Sequence, residues 1–155
     1  MPQNIYDNEA GSLSFQVLLW EFKDGLNKYF ASLGENAPVK SMEDLITFNK
    51  QDTIEMLYYD QELVLEAQKT GDVTSPEFQE ILAKMNRLVR EEGIDRVMKE
   101  HNLDAFIAPT GSPARKTDLV NGDAYTVSSS SPAAIAGYPN ITVPMGYIDG
   151  LPVGI

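Results

Sequence analysis

The feature that most limits how this chain can fold is a change of period at residue 104. Up to that point, apolar residues recur at steps of three and four, which lines one face of a helix. From "LDAFIAPT" onward the pattern becomes short continuous or alternating apolar runs separated by Gly, Pro, Asn and Asp. That is the pattern of strands and turns. Helices are therefore expected over 13–103, and strand, loop and hairpin over 104–155.

Four or five helices are expected. The first places Phe15, Leu19, Phe22, Leu26, Tyr29 and Leu33 on one face, with Ser14 as its cap and Gly34 just past its end. Asp24 and Lys28 stand one turn apart on the wet side. The second begins "SMEDL", with Ser41 as N-cap and Asp44 three residues on, a form of the capping box. The third runs through "DTIEMLYYDQELVLEAQKTG" with a stripe of Ile54, Leu57, Tyr58 and Leu65. Gln61 interrupts that stripe, so a polar partner or another chain is expected on that face. The fourth starts at Ser75-Pro76, a cap followed by proline at the first helical position. Its stripe runs from Phe78 through Ile81, Leu82, Met85 and Leu88 to Val89. Gly93 is expected to break or bend the helix before "IDRVMKEHN" adds two more turns.

Ala105 to Ala108 form an unbroken apolar run, the pattern of a strand buried on both faces. Residues 111–127 form a long loop, the kind that in a compact domain carries function or docks on something. Ser131-Pro132 starts a short helix closed by Gly137. In "NITVPMGYI", Ile141, Val143, Met145 and Tyr147 face one way. Asp149-Gly150 between two strand-like runs marks a hairpin, and Pro144 and Pro152 favour an edge or bulge. A strand buried on both faces needs neighbours on both flanks, and nothing earlier in the chain supplies them. The chain thus reads as a segment of a larger α/β fold, interrupted within its last strand.

Composition narrows the chemistry. The 155 residues are 43% apolar and 23% charged, which is globular. A net charge of −11 lacks the basic footprint that nucleic acid or an anionic membrane requires. No apolar run approaches the ~20 residues that span a bilayer. The N-terminus has no signal-peptide pattern, so the cytoplasm is the default location. With no cysteine and a single histidine, thiolate nucleophiles, disulfides and Cys- or His-rich metal sites drop out. No phosphate loop or dinucleotide glycine pattern appears, and neither a cofactor nor a metal is expected.

What remains is thin. Ser128–Ser131 could hold a nucleophile if a base such as His101 or Lys116 lay within reach, but the Gly-x-Ser-x-Gly elbow is missing. A loop-and-cap role fits the serines better. His101 sits in the last turn of a helix, where a cation is favoured. The pairs Glu43-Asp44 and Glu91-Glu92 are adjacent in sequence, do not face each other, and read as solvated surface. Asp118 and Asp123 read as turn residues that bond their own backbone. The aromatics Phe15, Trp20, Phe22, Tyr29, Phe30, Tyr58 and Tyr59 suggest a hydrophobic pocket, and core or inter-helix packing explains them at least as well.

The last fifty residues, together with the helices before them, carry a resemblance. "LDAFIAPT", then a loop, then "AAIAGYPNITVPMGYIDGLPVGI" resembles the C-terminal part of the amidase signature family. "EFKDGLNKYFASL", "SMEDLITFN" and "EGIDRVMKEHNLDA" are similar to the region before it, so nearly all of 15–155 is covered. More distantly, the chain is similar to the A subunit of glutamyl-tRNA(Gln) amidotransferase. The resemblance implies a fold class, α/β: a mixed sheet wrapped by helices, of which this helix-rich segment holds two or three strands.

It also implies a reaction, hydrolysis of a carboxamide to carboxylate and ammonia. In that chemistry a serine attacks the carbonyl. A lysine activates it through a bridging serine on a cis peptide, and backbone N–H groups stabilise the oxyanion. The family's Gly/Ser-rich core, which holds these residues, has no counterpart here. No catalytic residue carries over, and the segment alone is expected to be inactive. The amidotransferase subunit carries an aspartate whose place falls at or near Val127, so a general amidase with a less polar substrate is favoured.

Thr110, Gly111, Ser112, Ser128, Ser129, Ser130 and Ser131 are the expected pocket walls for a small-molecule amide in the parent enzyme. The unpaired edges of Ala105–Ala108 and Ile141–Met145 lead to an expectation of self-association for the isolated segment. The rival reading is a non-catalytic helical interaction module.

Overall fold

A computed structural model describes residues 8–58, 60–122 and 127–155. Tyr59 and Asp123 lie outside them. The chain divides into two compact units, residues 8–85 and residues 86–155.

The first unit is all helical: α1 Asn8–Ser32, α2 Met42–Gln51, α3 Glu62–Gln68 and α4 Pro76–Asn86, whose last residue falls in the second unit. Helix α1 starts earlier than its periodicity suggested and carries two apolar stripes. Ala10, Leu13, Val17 and Trp20 form one and are buried. At 100° per residue it lies roughly opposite the expected stripe. Trp20 packs on Phe78 of α4, with ring centroids 5.5 Å apart. Of the expected stripe, Leu19 is buried with Met42, Ile46 and Ala67, and Leu26 packs against that cluster. Phe15 and Tyr29 remain exposed. A helix apolar on two sides is one that other elements cover from both.

Polar contacts lock these helices together. Ser41 Oγ accepts from the Asp44 N–H at 3.1 Å. Asp44 Oδ2 reaches back to the Lys40 N–H at 3.0 Å, one residue before the position a standard capping box uses. The Met42 N–H, an orphan donor of the first turn, bonds Asn27 Oδ1 of α1 at 2.8 Å. The Asp24–Lys28 pair forms as expected, at 2.7 Å. At the start of α4, Ser75 Oγ accepts from the Phe78 N–H at 3.3 Å.

The third helix is much shorter than expected. Asp52 Oδ1 accepts from the Ile54 N–H at 2.7 Å and from the Glu55 N–H at 3.2 Å. This side-chain turn competes with helix formation. Ile54, Leu57 and Tyr58 are therefore exposed and form no stripe. Gln61 does meet a polar partner: it is buried, its Nε2 donates to Ile46 O and its Oε1 accepts from Asn49 Nδ2, both at 3.3 Å.

In the second unit, Gly93 does not break the helical run. It is buried inside a π-helix, Arg87–Ile94, followed by α5 Asp95–His101. Asn102 closes α5 in the left-handed conformation. Helix α6, Ser131–Ala136, ends at Gly137, whose φ of 68° is the left-handed cap expected there.

The hairpin forms where Asp149-Gly150 placed it. Strand β1, Pro144–Ile148, pairs antiparallel with β2, Leu151–Gly154. Asp149 (φ 49°) and Gly150 (φ 81°) are both left-handed, as a type I′ turn demands. The register shifts between Pro144 and Gly146, so a bulge at the proline interrupts the alternation expected from Ile141 to Tyr147. Val143 and Ile155 exchange both backbone bonds, at 2.9 and 3.0 Å, and extend the ladder by one pair.

Ala105–Ala108 is not a strand. The run has no regular secondary structure, and Ile107 is 80% exposed. Only its end is tied down, by the Thr110 N–H to Gly154 O at 2.9 Å. One backbone bond to one neighbour does not make a strand, whatever the apolar pattern favours.

Candidate functional site

Two stretches far apart in sequence meet in the second unit. Gly111 and Ser128 form an isolated antiparallel bridge. The Ser112 N–H donates to Val127 O at 3.2 Å, and the Ser129 N–H donates to Thr110 O at 3.3 Å. Ser112 Oγ accepts from the Val127 N–H at 3.1 Å. Thr110, Gly111, Ser112, Ser128 and Ser129 are thereby brought side by side, and Ser130 and Ser131 lead on into α6.

The hairpin joins from the other flank. Thr110 Oγ1 and Thr142 Oγ1 share a hydrogen bond of 2.6 Å. Gly154 lies against this pair: a Cβ there would collide with Thr142 Oγ1 and stand 3.2 Å from Thr110 Oγ1. Thr142 and Gly154 were not foreseen as part of this cluster. Their approach depends on the hairpin register and on Gly154 O, which no local pattern reveals.

The far end of α6 is held by the π-helix. Arg90 Nε donates to Ala136 O at 2.6 Å, satisfying a carbonyl that the helix end leaves open. The Arg90 guanidinium also lies over the Tyr138 ring, 5.7 Å from its centroid. Tyr138 Oη donates to Asp95 Oδ1 at 2.7 Å. That hydrogen bond raises the Tyr138 phenol above its ordinary value, burial and the Asp95 charge add to the rise, and Arg90 opposes it.

The other candidates disperse. His101 is exposed at the end of α5, and Lys116 lies in the loop. Neither is hydrogen-bonded to a hydroxyl of Ser128–Ser131, and Ser130 makes no side-chain cap bond. Asp118 accepts from the Val120 and Asn121 N–H groups and from Asn121 Nδ2, each at 2.9 Å. The Asn121 backbone bond leads in holding its carboxyl below the usual carboxylate value. It is a turn residue. Glu92 pairs with Arg87 on the surface. Among the described residues no group of three His, Asp or Glu could hold a metal ion, and no helix is long and apolar enough to cross a membrane.

What this arrangement brings together is polar backbone and side-chain hydroxyls of Thr110, Ser112, Thr142 and the Ser128–Ser129 segment. Among the described residues it holds no hydrogen-bonded pair of a serine hydroxyl with His101 or Lys116. The peptide amidase of Stenotrophomonas maltophilia, whose structure has been solved, superposes over 94% of this chain with a TM-score of 0.80 and 40% identity. The chain is homologous to the amidases and matches the C-terminal part of their fold.

Further relatives agree. An amidase family protein of Bacillus anthracis superposes over 90% of the chain, with a TM-score of 0.64 and 31% identity. A probable amidase of Arabidopsis thaliana is 37% identical over 142 residues, 90% of this chain. The A subunit of the glutamyl-tRNA(Gln) amidotransferase of Clostridium botulinum is 37% identical over 81 residues, 46% of the chain. No family model matches. The chain spans 24% of the Arabidopsis amidase and 29% of the Stenotrophomonas enzyme. This amidase homologue thus corresponds to about a quarter of its relatives' length. Its helices and two-stranded antiparallel sheet match the helix-rich C-terminal part of the amidase signature fold.

Proposed function

We propose that these residues serve as the C-terminal part of one amidase domain, the mainly helical stretch expected over 13–103 followed by the loop, short helix α6 and hairpin within 104–155. The parent enzyme hydrolyses a carboxamide to a carboxylate and ammonia, with water as the second reactant. The observation that carries this reading is the 94% coverage of the chain by a peptide amidase structure that it fills to only 29%. The nucleophilic serine, the cis-linked bridging serine and the lysine of the amidase mechanism lie outside these residues. This is supported by the absence of any bond between Ser128–Ser131 and His101 or Lys116.

The role of this segment is then to shape the pocket. Thr110–Ser112 stand beside Ser128–Ser129, with Ser130 and Ser131 following, and hydroxyls and backbone amides are the polar fittings that orient a small amide. A general amidase fits better than a component of a glutamine-dependent amidotransferase. The match to the plant amidase runs over 90% of the chain, against 46% for the amidotransferase, and no acid stands at Val127. The cytoplasm is the proposed location. The partners are a small amide and neither nucleic acid nor membrane.

The test is hydrolysis of a panel of simple amides by two samples, this chain alone and the full product of its gene. Activity in the full product alone supports the reading. Saturable hydrolysis by the 155-residue chain, abolished by Ser129→Ala or Ser130→Ala, overturns the view that the chemistry lies elsewhere. Activity in neither sample favours the interaction-module reading.

A further inference from the structure

The Arg87–Ile94 π-helix solves a problem that an α-helix cannot. At 100° per residue, positions five apart point about 140° away from each other. Arg90 and Asp95 are five apart, yet both act on Tyr138, one over its ring and one at its hydroxyl. The wider turn of the π-helix closes i→i+5 bonds. Here the Asp95 N–H donates to the Arg90 carbonyl, which stacks residue 95 over residue 90. Two side chains that an α-helix would splay apart come to one side.

We propose that Arg90 and Asp95 are positioning residues of the amide pocket: they clamp Tyr138 and the end of α6, and so fix the Ser128–Ser131 segment that enters this helix. Helix α6 has only 6 residues, too few to be stable without tertiary support. Its entrance is tied by the Ser129–Thr110 bond. Its exit is tied by Arg90 Nε on Ala136 O and by the Tyr138–Asp95 bond. Gly137 fits the clamp twice over. It takes a φ of +68°, and a Cβ there would stand 3.2 Å from Arg90 Nη2. Cut the exit tie, and α6 can tilt or fray and carry the serines with it.

The inference rests on the reading of Ser128–Ser131 as pocket wall, and the test separates the two. Arg90→Ala, Arg90→Lys and Asp95→Asn are made in the full gene product. KM and kcat are measured on an amide that the wild type hydrolyses, and hydrogen exchange is followed at the Gly137 and Tyr138 amides. Arg90→Ala is expected to raise KM on the order of tenfold, with kcat changed less, and to speed exchange at both amides. Arg90→Lys keeps the charge but loses the planar fork, and falls between wild type and alanine. Asp95→Asn speeds exchange at Tyr138.

Unchanged exchange in Arg90→Ala overturns the clamp. Faster exchange with unchanged KM overturns the link to the pocket and leaves the amidase reading intact. A wild type inactive on every amide defeats the amidase reading and the pocket role with it, while exchange still reports on the clamp.

Discussion

Gly71 lies against the indole of Trp20. A Cβ on Gly71 would stand 2.9 Å from Cη2 and 3.0 Å from Cζ3 of that ring. The approach is close because the chain is pulled in beside α1: Lys23 of α1 donates to Gln68 O and Thr70 O at the end of α3. A cation on the last carbonyls of a helix caps it and complements its dipole. The glycine is required by space, not by an unusual φ.

Gly71→Ala is accordingly expected to destabilise the chain. Trp20 is buried and packed on Phe78, so it has little room to yield. Overpacking of this kind typically costs about 1–3 kcal/mol. Denaturant unfolding with an unchanged midpoint would contradict the close approach. Trp20 fluorescence gives a local readout of the same event.

Gln61 joins α2 to the start of α3 through a buried amide. Gln61→Ala leaves Asn49 Nδ2 without its acceptor and opens a gap beside Ile46. The expected loss is about 1–3 kcal/mol, the usual consequence of stranding a buried polar group. If Gln61→Ala unfolds at the wild-type midpoint, the amide contributes nothing net.

Tyr138 should titrate above the ordinary tyrosine value of 10.0. The folded chain favours the protonated phenol, which can donate to Asp95. The stabilisation is therefore whole below pH 10.0 and fades as pH rises through the folded value. Asp95→Asn removes the carboxylate and should bring the midpoint down. Arg90→Ala removes the opposing cation and should move it up. Isotope-labelled tyrosine, followed by NMR, resolves Tyr138 among the seven tyrosines, and a midpoint at or below 10.0 in the wild type refutes the bond.

The isolated chain is expected to self-associate. Ile107, Ile141 and Tyr147 are 80%, 85% and 78% exposed, and a two-stranded sheet leaves strand edges open to pairing. Sedimentation velocity over a wide concentration range should show mass rising with concentration. A single monomeric species throughout rules this out.

Local chemistry was legible without the structure. The Ser41 and Ser75 caps, the Asp24–Lys28 pair, the Gly137 stop and the Asp149-Gly150 turn each depend on residues within a few positions of one another, and each formed where it was read. An irregularity formed next to Pro144, with Met145 as the extra residue, whereas Pro152 keeps regular register with Tyr147. The motif order in "AGYPNITVPMGYIDGLPVGI" was enough to point to the amidases.

What the sequence could not convey was decided by neighbours distant along the chain. Apolar pattern says that a residue wants cover, not whether cover exists, so Ala105–Ala108 and Ile54–Tyr58 were mistaken for regular elements. The second stripe of α1 emerged only when Phe78 arrived to meet Trp20. Thr110 met Thr142 and Gly154 because the hairpin register put them there. Arg90 and Asp95 came to one side of their helix because one stretch adopted a wider turn. Local residue chemistry determined the caps, turns and family of this chain, since those interactions close within a few residues. Tertiary packing decided which apolar faces are buried and which side chains meet beside the hairpin and α6, since those contacts exist only once distant segments are brought together.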